Sequence, residues 1–97
     1  MKEVPAIPYN IKGGYVYILK TESSVKIGVS KNTDRRIFEI EHTSGKKILD
    51  TFISEPCLNY HRIEADLHSK FKEKRILGEW FDIEFDDAVE ELKKIRV

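Results

Sequence analysis

The chain opens its ordered pattern with a run of apolar residues that is too short for a helix. Tyr15-Val16-Tyr17-Ile18-Leu19 is rich in aromatic and β-branched residues and predicts a buried strand. Val25 to Val29 predicts a second strand, and the polar Thr21–Ser24 between them predicts a hairpin turn. With an even number of loop residues, Val16 and Ile18 share a face with Val25, Ile27 and Val29. The other face then carries Tyr15, Tyr17, Leu19, Lys26, Gly28 and Ser30, with Gly28 opposite Tyr17. A one-residue slip would place Lys26 and Gly28 among Val16 and Ile18, so the hydrophobic pattern selects the first register.

Helical spacing follows. Asn32 or Thr33 suits an N-cap, Ile37 and Ile40 mark an apolar side, and Gly45 marks the end of a first helix. Lys47 to Ser54 fits a third strand. Pro56 opens a second helix reaching about Lys74, with Tyr60, Ile63, Leu67 and Phe71 on one stripe. After Gly78 comes a short aromatic segment, Glu79 to Ile83. Asp87-x-x-Glu90 resembles a capping box for a last helix carrying Val89, Leu92 and Ile95. The expected fold is α+β: a small three-stranded antiparallel sheet flanked by helices, in the order β-β-α-β-α-α. Residues 1–12, with Pro5 and Pro8, are expected to form an extended arm, and residues 13–97 one domain.

Composition sharpens this picture in two places. The 97 residues hold 17 basic and 17 acidic side chains, which argues against a simple polycation. The balance is regional, however. Between Lys12 and Lys47 stand eight bases and four acids, whereas Glu79 to Glu91 holds seven acids and no base. A basic binding face in the first half is therefore compatible with zero net charge. Cys57 is the only cysteine, which excludes an internal disulfide and a cysteine-based zinc cluster. No run approaches the length of a transmembrane helix and the start lacks the apolar run of a signal peptide, so a cytoplasmic protein without membrane contact is expected.

Candidate chemistry comes from side chains spread over two strands and two helices. Tyr17, Lys26, Arg36 and Glu64 offer a phenol, an ammonium, a guanidinium and a carboxylate. Together these would suit phosphodiester chemistry, because a carboxylate holds a hard divalent cation and a guanidinium stabilises charge on phosphate oxygens. On residue type alone the same set also reads as surface ion pairs. His61, Glu64 and His68 lie near one helical stripe and form an alternative zinc-type donor set. Trp80 and Phe81 offer either a stacking surface for unpaired bases or a closing pair for a small core. Lys70, Lys72, Lys74 and Arg75 form a basic cluster that suits a phosphate backbone or a solvated helix end.

The run Tyr15-Val16-Tyr17, followed by Lys26-Ile27-Gly28, resembles the two-part signature of the GIY-YIG endonuclease superfamily. Arg36 stands eight positions after Gly28, and Glu64 lies on the helix after the third strand, as in that family. Glu64-Ala65-Asp66-Leu67-His68 and Gly78-Glu79-Trp80-Phe81 resemble a phage-type branch in which lysine in the second motif is usual. The resemblance implies catalytic roles for Tyr17, Lys26, Arg36 and Glu64. Glu64 would hold Mg²⁺ or Mn²⁺, Arg36 would contact the scissile phosphate, and Tyr17 would orient or deprotonate water. Lys31, Arg35 and His68 would contribute to nucleic-acid binding. Departures are visible too: Lys26 replaces the wider family's second tyrosine, and Ile40 stands where many members have histidine. The expected function is metal-dependent hydrolysis of DNA, with help from a specificity-conferring protein partner. The alternative is a non-catalytic nucleic-acid-binding or protein-interaction module that keeps the fold.

Overall fold

The computed structural model describes residues 13–95. The expected arm at residues 1–12 lies outside them. Strands β1 (Tyr15–Lys20) and β2 (Val25–Ser30) form the expected hairpin. Their register pairs Val16 with Val29, Tyr17 with Gly28 and Ile18 with Ile27, as the hydrophobic alternation requires. Thr21 and Ser24 close the turn: the Thr21 N–H and hydroxyl both donate to the Ser24 carbonyl, and the Ser24 N–H donates to Thr21 Oγ1.

Helix α1 (Thr33–Ser44) also matches the sequence reading. Asn32 Oδ1 accepts from the Arg35 N–H at 3.2 Å, and Gly45 ends the helix in the left-handed conformation. Strand β3 (Asp50–Ile53) is shorter than the expected Lys47–Ser54. The Ile48 N–H donates to Glu41 Oε2, which ties the chain to α1 at that point, and only from Leu49, whose N–H donates to the Lys20 carbonyl at 2.7 Å, does it join the edge of β1.

The second helix, α2 (Tyr60–Lys70), starts later and ends earlier than expected. Cys57 exchanges backbone hydrogen bonds with Gly14 at 2.9 and 3.0 Å, which holds it in a strand bridge, and a turn at Leu58 and Asn59 precedes the helix. A single 3₁₀ turn at Lys72–Lys74 follows α2 and leads into strand β4 (Arg75–Leu77). Strand β5 (Trp80–Phe81) returns along it. The three-stranded expectation is therefore corrected to a five-stranded antiparallel sheet, in the order β3-β1-β2-β5-β4. Helix α3 (Phe85–Ile95) begins two residues before the expected cap, which places Asp86 and Asp87 in its first turn, where carboxylates suit the helix dipole.

The sheet divides the interior unequally. Val16, Ile18, Val25, Ile27 and Phe81 pack against Ile63 and Leu67 of α2 and Ala88 and Leu92 of α3. On the opposite face, only Tyr17, Leu19 and Ile40 form a buried cluster, with Ile37, Ile48 and Trp80 beside it. Among the described residues, no helix is long and apolar enough to cross a membrane.

Candidate functional site

The hairpin register places Gly28 directly across from Tyr17. This glycine is needed for space: a Cβ built there would collide with the Tyr17 hydroxyl and lie 3.0 Å from Glu79 Oε1. A small gap therefore exists on the face that α1 only partly covers, and polar and charged side chains enter it from several elements.

Tyr17 is almost fully buried, and its hydroxyl is within hydrogen-bonding reach of the Arg36 guanidinium. Burial pushes the phenol's ionisation above its ordinary range, and the Arg36 hydrogen bond only partly offsets this. Arg36 projects from the first turns of α1, half exposed, with Glu39 Oε1 3.7 Å away. Lys26 is buried, and its Nζ pairs with Glu79 Oε1 at 3.1 Å. The same ammonium lies 5.1 Å from the centroid of the Trp80 ring, and Lys46 approaches that ring to 4.7 Å. Lys26, Arg36, Glu39, Thr43, Ser44 and Trp80 line an open groove between α1 and β5.

Glu64 reaches the same place from α2. Its Oε2 is buried and has no hydrogen-bond partner. The Glu79 carboxyl lies within hydrogen-bonding reach of Glu64, and two carboxylates can complete that bond only by sharing a proton. Burial first, and then Glu79, push the Glu64 carboxyl up to about 7, while the charge of Lys26 acts in the opposite direction. The result is a pair of carboxylates, one of them poorly solvated, beside two cations and a phenol.

The backbone explains why Glu79 stands there. Its carbonyl accepts from the Ile27 N–H at 3.1 Å, which continues the β5 pairing along β2 by one residue. There the pairing stops, and the Ile27 carbonyl accepts from His68 Nε2 at 3.0 Å. That bond places a proton on Nε2, and the His68 ring also meets Phe81 edge-on at 4.9 Å. His68 Nε2 is 3.8 Å from Glu64 Oε2, so it borders the carboxylates while its hydrogen bond closes the sheet edge.

The structure thus brings together Tyr17, Lys26, Arg36 and Glu64, the four residues nominated from the sequence. It does not bring Lys31 and Arg35 to them. Lys31 is exposed at the start of the β2–α1 connection, and Arg35 points outward to pair with Glu39 at 3.2 Å. His61 is also elsewhere, exposed and stacked on Tyr60 with ring centroids 4.4 Å apart. Among the described residues, no group of three His, Cys, Asp or Glu side chains is placed to hold a metal, so the His61–Glu64–His68 stripe does not assemble. Trp80 and Phe81 divide between two roles. Phe81 is fully buried in the core, whereas Trp80 lies half-buried on the site's face.

Glu79 is the site residue that the sequence reading does not nominate: it stands there in the Gly78-Glu79-Trp80-Phe81 motif and in the acidic C-terminal stretch without a role at the site, although a signal for one exists. A lysine on a strand whose neighbours are all buried needs an anion close by. The aromatic segment after Gly78 offers the nearest carboxylate able to pair along β2. Chemically, the assembled groups can bind an anion through Arg36 and Lys26 and a hard cation through Glu64 and Glu79.

Comparison with known proteins agrees with this at the level of family. The T5orf172 domain model, of a family associated with phage and nuclease-like proteins, matches residues 14–96. No curated protein and no solved structure matches the chain significantly. The matched span contains every element from β1 to α3 and all five residues of the site, and the chain belongs to the T5orf172 domain family.

Proposed function

We propose that this chain is a nuclease domain of the GIY-YIG type that hydrolyses DNA phosphodiester bonds with a divalent metal ion. The observation that carries the reading is the carboxylate pair: Glu64, with a buried and unpartnered Oε2, faces Glu79 in the same gap as Tyr17, Arg36 and Lys26. Two carboxylates without further protein donors fit Mg²⁺ or Mn²⁺, which keep several waters when bound to proteins. Such a cation supplies charge neutralisation at phosphate oxygens and lowers the pKa of bound water.

The chain's own residues divide the remaining work. Arg36, half exposed at the mouth of the groove, presents its planar donor fork to phosphate oxygens. Lys26, fixed by Glu79 and Trp80, adds a second positive charge deeper in the gap. Tyr17 enters as a neutral phenol, because burial holds its proton in place. Its role is to orient water or phosphate by hydrogen bonding rather than to remove a proton. Gly28 keeps the gap open, and His68 holds the β2 edge that forms one wall.

Plasmid nicking with Mg²⁺ or Mn²⁺ tests the reading. Glu64→Ala and Arg36→Ala should each lower the rate by about 100-fold or more, as expected for loss of groups that stabilise developing charge. Equal nicking by wild type and both variants would sink the assignment. A second reading, a nucleic-acid-binding module without cleavage, is favoured by the pairing of Lys26 with Glu79 and by the firmly held Tyr17 proton. Salt-sensitive DNA binding with no metal-dependent nicking would select it.

A further inference from the structure

The β4–β5 hairpin carries a feature that the site does not use. Ile76 and Leu77 are consecutive and 57% and 76% exposed, and Leu77 is the most exposed large apolar side chain among the described residues. Both belong to β4, the edge strand of the sheet, directly before the Gly78–Glu79 turn, and edge strands ordinarily carry charged residues or proline rather than consecutive exposed apolar ones.

The base of the hairpin is firmly held. The Lys74 N–H donates to the Phe71 carbonyl, the Asp82 N–H donates to the Lys74 carbonyl at 2.8 Å, and Phe81 is buried. The outer end of β4 is therefore an apolar projection on a fixed base. Leu77 pairs with Trp80 and Trp80 pairs with Lys26, so one cross-strand row runs from exposed Leu77 at the end of β4 into the site. Leu77 is also only two residues from Glu79. That spacing spans at most about 7 Å, or roughly two base steps along a nucleic-acid strand.

Charge decides between possible occupants. Lys72 and Arg75 are exposed and have no ion pair among the described residues, whereas Lys70 turns away toward Glu91 at 3.8 Å. Lys74 borders a groove that it shares with Asp82, Glu84 and Asp87. Glu73 is the one acid between Lys70 and Gly78. A second copy laid parallel along β4 would oppose Arg75 to itself, and an antiparallel one would have only the three residues of β4 to pair with, so self-association is disfavoured. A polyanion with an apolar interior satisfies both the cations and the Ile76–Leu77 pair.

We propose that Ile76 and Leu77 form a wedge that enters the base stack of duplex DNA beside the phosphate held at the Glu64–Glu79 site, while Lys72 and Arg75 grip the adjacent backbone. This rests on the nucleic-acid reading above and adds how the substrate is held. Leu and Ile are residue types that can separate base steps, provided phosphate contacts compensate for the lost stacking.

The test uses the full chain in metal-free buffer, with duplex oligonucleotides carrying 2-aminopurine at successive positions. Anisotropy reads binding, and 2-aminopurine fluorescence reads unstacking. Wild type should raise fluorescence about threefold at one or two neighbouring positions, as expected for a local wedge. Ile76→Ser/Leu77→Ser, substitutions at exposed positions whose melting temperature is checked first, should abolish that rise and leave the salt slope of binding unchanged. Lys72→Gln/Arg75→Gln should reduce the salt slope by about 1.8, the value for two phosphate contacts on duplex DNA. Binding without any fluorescence rise, or an equal rise with the serine variant, overturns the wedge while the nucleic-acid reading stands. Absence of DNA binding overturns both. Concentration-dependent dimerisation that the serine variant loses would assign Ile76 and Leu77 to self-association and overturn the wedge as well.

Discussion

The two faces of the sheet are built from the same two strands yet perform different work. Facing α2 and α3, ten buried side chains from five elements form one continuous apolar cluster. Facing α1, the buried cluster is Tyr17, Leu19 and Ile40, and the adjoining positions hold Lys26, Gly28 and Trp80. The contrast follows from strand alternation: residues that differ by one in sequence belong to different environments. Val25 and Ile27 anchor the fold, while Lys26 between them joins a charged site. A small protein can hold a buried lysine paired with a partly exposed carboxylate, and two adjacent carboxylates, because the opposite face of the same strands supplies most of the cohesion.

Truncating the deep face should break this division most visibly. Leu67 is fully buried between α2 and the sheet, so Leu67→Ala loses both transfer energy and packing. The expected loss is about 2–5 kcal/mol in urea unfolding. Ile40→Ala, on the thin face beside the groove, should fall at or below about 2 kcal/mol, because a partly open site can relax around the missing atoms. Equal losses at both positions would show that the two faces contribute alike.

Gly28→Ala attacks the boundary between stability and function. Its backbone needs no left-handed conformation, so the effect comes from the added methyl group against Tyr17 and Glu79. Fitting that methyl should cost about 1–3 kcal/mol, as overpacking does. It should also displace the Tyr17–Arg36 pair and lower nicking by an order of magnitude or more, since small misplacements at a reacting centre are expensive. Unchanged melting temperature together with unchanged nicking would mean that the gap over Gly28 is not the site.

Much of this was legible in the sequence where local rules act alone. The hairpin register followed from alternation, and both ends of α1 followed from Asn32 and Gly45. Four of the five residues that converge were nominated through their place in a recognisable motif. What could not be read depended on long-range partners. The β4–β5 hairpin contains only Arg75–Leu77 and Trp80–Phe81, too short for a periodicity, and it is strand because the β2 edge accepts it. The role of Glu79 at the site is hidden for the same reason, since its meeting with Lys26 and Glu64 exists only after that pairing forms. The late start of α2 likewise reflects the Gly14–Cys57 bridge, a contact across more than forty residues.

The smallest expected effect is the most specific to the carboxylate pair. In the folded chain Glu64 titrates near 7, above its ordinary value of 4.5, because burial and Glu79 disfavour its charge. Between those values the native state holds a proton that the unfolded chain has released. Stability therefore falls as pH rises from about 4.5 to 7, the reverse of what a salt-bridged carboxylate produces. Glu64→Gln removes that titration. The variant should melt above wild type at pH 8, by an amount on the order of 1 kcal/mol after allowing for water in the open groove, and the difference should shrink toward pH 5. Mg²⁺ should narrow the gap at pH 8 by stabilising wild type alone, because a ligand that binds only the native site raises its stability. Melting curves for the two proteins that stay parallel from pH 5 to pH 8, with and without Mg²⁺, would show that Glu64 is an ordinary solvated carboxylate. The chemistry assigned to the thin face would then lose its anchor, even though the deep face would be unchanged.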